Sequence, residues 1–253
     1  MDTRFWGPSG WQLFHLIAFA QPRGKDAEYE LFFNGLKDIL PCKFCRASTA
    51  EFMETELPLH PRVHDTARWL YELHNRVNRK LREQSKTDSN VRDPGPDPTF
   101  EEVRERYAGY LAKPPNAIPG ADFLTTIALN YPEKPTSEHV ETHTQFWDGL
   151  RSLFPFARLR GILAAYMDKH PLYPALQSRA AYSHWVHGAL KRMCRRGTMV
   201  SYQGMCQQTL YFKSECERST YRGKTCRRTK DGKYHKVRDH ARTYRLTHSR
   251  LLS

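Results

Sequence analysis

The strongest constraint on the fold of this 253-residue chain is a helical apolar period that keeps recurring. Trp11, Phe14, His15, Ala18 and Phe19 stand at i, i+3, i+4, i+7 and i+8, one face of an α-helix. A second helix is expected from about Ala27 to Leu40, with Leu31, Phe32, Leu36 and Ile39 on one face. Pro41 ends it or opens the next, which is expected over about Cys42–Glu56. A fourth starts near Asp65, a plausible N-cap, and presents Trp69, Leu70, Leu73, Val77 and Leu81. The polar Pro/Gly run 85–98 reads as a loop, and a short helix follows from Thr99 to about Leu111. No βαβ pattern interrupts the series, so the expected fold class is all-α.

The second half resembles the first. Gly10–Pro22 laid on Gly120–Pro132, and Phe33–Met53 laid on Trp147–Met167, gives ten identities in 34 positions. About two are expected by chance at average composition. The identities include Gly35/Gly149, Pro41/Pro155 and Arg46/Arg160. A degenerate internal duplication is the favoured reading, with an unrelated helical domain as the other. Lys113-Pro114-Pro115-Asn116 looks like the linker. The expected organisation is residues 1–112, residues 117–196 and a basic tail from 197 to 253.

Charge follows the same division. Residues 1–178 hold 22 Lys/Arg against 23 Asp/Glu, whereas residues 179–253 hold 18 against 4. A near-neutral body with a basic tail implies a polyanionic or acidic contact for the tail, or a solvated charge run. Its interleaved Tyr and His suit nucleic acid. No run of 18 uncharged apolar residues exists, which excludes a membrane-embedded chain, and no secretory signal is read at the start.

Six cysteines remain to be placed. Cys42 and Cys45 form a C-x-x-C, a pattern open to half a zinc site, a structural disulfide or a redox pair. No second C-x-x-C lies within this half, and although His60 and His64 have H-x₃-H spacing, no metal ligand is assigned there. A helix beginning after Pro41 offers free N–H groups, and Lys43 and Arg46 add positive charge. Those effects are expected to lower a thiol pKa and favour redox exchange. Cys194, Cys206, Cys216 and Cys226 lie at spacings of 12, 10 and 10, compatible with two disulfides or an irregular zinc site. On the fourth helix His74, Asn78 and Arg82 share one face, with Asn75 and Arg79 on the next row. Such a stripe could edge an aromatic ring or be a solvated face.

Taken in order, Trp6-Gly7-Pro8-Ser9-Gly10-Trp11, Pro41-Cys42-Lys43-Phe44-Cys45-Arg46 and Leu73-His74-Asn75-Arg76-Val77-Asn78-Arg79-Lys80 resemble the Erv/ALR family of FAD-linked sulfhydryl oxidases, most like members from large DNA viruses. The resemblance spans about residues 4–111. It implies a helical bundle holding FAD beside a redox disulfide. Cys45 would face the flavin, and Cys42 would be attacked by thiol-containing protein substrates. Gly7, Trp11, His15, His74, Asn75, Asn78, Lys80 and Tyr107 would hold the cofactor, with Lys80 near its phosphates. Molecular oxygen would be the final acceptor, giving hydrogen peroxide.

Two departures stand out. Many relatives carry, where Tyr71 stands, a cysteine of a structural disulfide; here that staple is missing. No cysteine precedes Cys42, so any shuttle thiol must come from Cys194–Cys226 or from a partner. The second unit has Phe156 and Leu159 at the positions of Cys42 and Cys45, and Leu190, Lys191 and Cys194 at those of His74, Asn75 and Asn78. By resemblance it would be a redox-silent companion, giving a homodimer or an intramolecular pseudo-dimer. The expected setting is host cytoplasm and virion, if viral, or otherwise the mitochondrial intermembrane space. The rival function is a non-catalytic helical adaptor for assembly.

Overall fold

A computed structural model describes residues 2–212, apart from 21–23, 60–64, 90 and 195–198. The described residues are all-helical, with no strand among them. The first half contains α1 (Thr3–Ala20), α2 (Asp26–Asn34), α3 (Leu36–Ile39), α4 (Lys43–Thr55), α5 (Thr66–Ser85) and α6 (Phe100–Ala112). The second contains α7 (Ala121–Leu129), α8 (Ser137–Leu153), α9 (Ala157–Lys169), α10 (Leu172–Ala175), α11 (Arg179–Met193) and α12 (Tyr202–Tyr211).

Local chemistry sets most boundaries. The Asp65 carboxylate accepts the N–H groups of Ala67 and Arg68 and starts α5. Thr99 and Glu102 form a reciprocal capping box at α6, and Thr136 with His139 does the same at α8. Each box satisfies N–H groups that a helix start leaves without intrahelical acceptors. The helix expected over 27–40 is divided at Gly35, the residue type that holds a helix least well after proline.

The two halves repeat their geometry. α4 and α9 are both 13 residues long, and each follows an extended residue, Cys42 (φ −133°, ψ 116°) or Phe156 (φ −104°, ψ 118°). The Arg46 guanidinium donates to the Leu40 carbonyl at 2.6 Å, and that of Arg160 donates to Phe154 at 2.8 Å. Trp69 Nε1 donates to Leu57 O at 2.9 Å, and Trp185 Nε1 to His170 O at 2.8 Å.

The halves face each other through α1 on α7 and α2 on α8. A Cβ on Gly10 would stand 3.2 Å from the Phe123 ring, and one on Gly120 only 2.5 Å from Leu13 Cδ2. Gly10 aligns with Gly120 and Leu13 with Phe123, so this contact is reciprocal. The aligned rings of Phe32 and Phe146 meet at 5.4 Å. One buried apolar cluster therefore runs through both halves, from Phe5 to Phe212.

Beyond residue 197 the structure differs from the expected tail. α12 packs on α7 and α11, the Phe212 ring stacks on Phe5 at 4.2 Å, and Asp2 N–H donates to Phe212 O at 2.8 Å. A ten-residue helix that buries only Met205 and Thr209 has no apolar stripe to read. The tail from 213 onward, with Cys216 and Cys226, lies outside the described residues.

Candidate active site

Pro41 stops the preceding helix and leaves Cys42 as the N-cap of α4. The Cys45 N–H donates to Cys42 Sγ at 3.3 Å, and the Arg46 N–H donates to Cys42 O at 2.9 Å. Cys42 is buried, and Cys45 is half-buried one turn in. This is the place that two sulfurs need if a helix end is to stabilise charge on one of them.

The expected lowering of thiol pKa is reversed at Cys45, whose pKa is raised well above the usual thiol value. The hydrogen bond with Cys42 is the largest cause, followed by burial and the neighbouring sulfur's charge. The helix N–H is spent on Cys42. The Arg46 side chain is turned to the Leu40 carbonyl, and Lys43 Nζ lies 5.1 Å over the Phe44 ring. The side-chain cation acting on Cys45 is instead Lys80 of α5, which lowers its pKa against those larger effects. Lys80 Nζ donates to Ser48 Oγ at 3.2 Å, which fixes it along α4.

An aromatic and histidine stack lies across α1, α5 and α6. The Trp11 and His74 rings are parallel at 3.9 Å. His15 Nε2 and His74 Nδ1 share a hydrogen bond of 3.0 Å, and Tyr107 stacks on His15 at 4.9 Å. Phe19 closes the far side against Tyr107. Burial first, then the charges of His74 and Arg106, lower His15 to about 3; burial lowers His74 to about 4. Both rings are therefore neutral near pH 7. His15 Nδ1 and Trp6 Nε1 are buried with no hydrogen-bond partner among the described residues.

The other expected residues separate by role. Gly7 lies on α1, where a Cβ would meet nothing within 4 Å. Asn75 is half-buried on α5. Asn78 donates to Asp97 Oδ1 at 2.8 Å, and the Arg82 guanidinium grips both oxygens of the same carboxylate. Tyr71 Oη donates to Pro98 O at 3.0 Å. With the disulfide staple absent, these bonds tie α5 to the loop before α6. Asp97 and Arg106 escaped the sequence reading, because a loop carboxylate and an exposed helix cation carry no period of their own. Among the described residues, no group of three His, Cys, Asp or Glu is arranged to hold a metal.

Residues 8–95 match the family model described as Erv1 / Alr family. The chain is 33% identical over 93 residues to "Mitochondrial FAD-linked sulfhydryl oxidase ERV1" of Saccharomyces cerevisiae, covering 35% of this chain and 49% of that protein. It is 31% identical over 86 residues to "Probable FAD-linked sulfhydryl oxidase R368" of Acanthamoeba polyphaga mimivirus, covering 31% of this chain and 59% of that protein. The chain thus spans about half the length of the curated relatives it matches. No solved structure matches.

Proposed function

From an Erv1 / Alr match over residues 8–95, we propose that this protein is a FAD-dependent sulfhydryl oxidase that forms disulfides in protein thiols. The observation that carries this reading is the Cys42–Cys45 pair at the start of α4, beside Lys80 and the Trp11–His74–His15–Tyr107 stack. A flavin needs flat apolar faces and edge hydrogen bonds. The parallel rings supply the first, and the unpartnered, buried His15 Nδ1 is a candidate for the second. The residues present fit the group. Gly7, Trp11, His15, His74, Asn75, Asn78, Lys80 and Tyr107 would hold it, with Asn78 oriented through Asp97.

In the oxidised pair, a substrate thiolate attacks Cys42 Sγ, forms a mixed disulfide and releases Cys45 as thiolate. The nearby charge of Lys80 favours that leaving sulfur. A second substrate thiolate then breaks the mixed disulfide, leaving both cysteines reduced and the substrate oxidised. Bound FAD supplies the electron acceptor and oxygen the final one, so that two thiols and one O₂ give one disulfide and one hydrogen peroxide.

Residues 117–196 are, in this reading, a degenerate and redox-silent copy that occupies the face a second subunit would take. The paired bonds of Arg46 and Arg160, the paired bonds of Trp69 and Trp185, and the reciprocal glycine contacts support it. For the compartment, our reading is host cytoplasm if the chain is viral, one relative being from a virus, and the mitochondrial relative gives the second setting.

The test is flavin absorbance of the purified protein, with oxygen uptake on a small dithiol. We expect about one FAD per chain and steady uptake. Cys45→Ser should keep the flavin and reduce turnover to background. A colourless protein, or full uptake by the variant, rejects the reading.

A further inference from the structure

The segment Leu40-Pro41-Cys42 turns the chain into α4, and three successive carbonyls there have donors. Leu40 O takes the Arg46 guanidinium at 2.6 Å, and Cys42 O takes the Arg46 N–H at 2.9 Å. Both come from the same helix. Pro41 O is held differently: Asn130 Nδ2, 89 residues away at the C-cap of α7, donates to it at 3.2 Å. The donor comes from the half that has no redox pair.

The second half lets the two turns be compared. Phe154 O takes the Arg160 guanidinium at 2.8 Å, and Phe156 O takes the Arg160 N–H at 2.8 Å, matching the first and third bonds. At the position matching Asn130, the first half has Ala20, whose methyl group cannot donate. The amide is thus supplied toward the turn that carries the cysteines and not toward the turn that lacks them.

Resting on the oxidase reading above, we propose that Asn130 is a positioning residue for the Cys42–Cys45 pair, lent by the silent half to the active one. Its amide fixes the plane of the Pro41–Cys42 peptide. That plane sets the extended backbone of Cys42, and with it the 3.3 Å approach of the Cys45 N–H to Cys42 Sγ. An N–H aimed at sulfur favours the electron-rich, reduced form, so Asn130 makes the disulfide a stronger oxidant. The companion half then tunes the reaction without touching substrate.

The experiment equilibrates the full chain, without oxygen, in graded mixtures of reduced and oxidised dithiothreitol. Two electrons and two protons pass from the reagent's thiols to the Cys42–Cys45 disulfide. Alkylation and mass spectrometry of that peptide give the equilibrium constant. A net hydrogen bond of about 0.5–1.5 kcal/mol corresponds to roughly a 2- to 12-fold change. Asn130→Ala should lower the constant by that factor in the direction of a weaker oxidant. Asn130→Asp, which removes the donor, should lower it at least as much, and Asn130→Gln, which keeps one, should restore part of it. Asn130 is exposed, so these variants should fold. An unchanged constant in Asn130→Ala, with or without a lower melting temperature, makes Asn130 a structural brace and overturns the proposal. If the unaltered chain forms no reducible Cys42–Cys45 disulfide in any mixture, the oxidase reading fails and takes the proposal with it.

Discussion

His15 and His143 are buried and His74 half-buried among rings, and desolvation is the main cause that lowers them to about 3, 3 and 4. The linkage sign follows from where protons bind. Unfolded histidine takes up its proton near pH 6.5, while the folded rings stay neutral until much lower pH. Between those values the unfolded chain holds more protons, so folding stability falls as pH falls. Each fully shifted ring contributes a slope of about 1.4 kcal/mol per pH unit. The paired carboxylates of Asp97 and Glu102 are shifted down from ordinary values near 4, so they act only at the acid end of the range. Urea midpoints measured from pH 7.5 to pH 5 should therefore drop steadily below about pH 6.5. A flat profile across that range would show that the three rings accept protons without unfolding.

At the scale of elements, the joint between α1 and α7 depends on the absence of two side chains. Gly120 sits at φ +81°, a backbone region that L residues rarely adopt, and a Cβ there would overlap Leu13. Gly120→Ala should destabilise the chain by roughly 1–3 kcal/mol through strain and overpacking. Gly161 is the contrast: it lies inside α9, and a Cβ there meets nothing within 4 Å. Gly161→Ala should stabilise by up to about 1 kcal/mol. Thermal melts of the two variants should move in opposite directions. Equal shifts would contradict the close approach of α1 to α7.

At the scale of the whole molecule, charge is segregated from the core. Residues 213–253 hold 13 Lys/Arg against 4 Asp/Glu, whereas α12 and Phe212 are packed into the body. A truncation that tests the tail should therefore end after Phe212, not at Gly197. Removing 213–253 should leave small-dithiol oxidation intact and reduce retention on nucleic acid at low salt. Retention by the full chain should fall steeply with salt, because each neutralised phosphate releases a counterion, with a slope near −0.9 per contact on duplex DNA. Oxygen uptake lost on truncation, with the fold intact, would place the tail cysteines in the electron path instead.

Features that depend on neighbours within a few residues were legible in the sequence. The apolar period marked the long helices, Asp65 and Thr99 marked two of their starts, and Pro41 put the cysteines at the head of α4. Trp11, His15 and His74 are brought to one site only by the family resemblance, since helical spacing alone gives just the face of its own helix that each lies on. What remained hidden depends on residues far apart in sequence. Lys80 reaches Cys45 only because α5 crosses α4, and the Cys45 proton is held by Cys42 and burial against the pull of that cation. Asp97 orders Asn78 only because the loop folds back on α5. Asn130 meets Pro41 only because the second half docks on the first. Periodicity and caps are short-range consequences of backbone geometry. A pKa, a hydrogen bond between halves and a shared core are properties of distance, which only the packed tertiary structure sets.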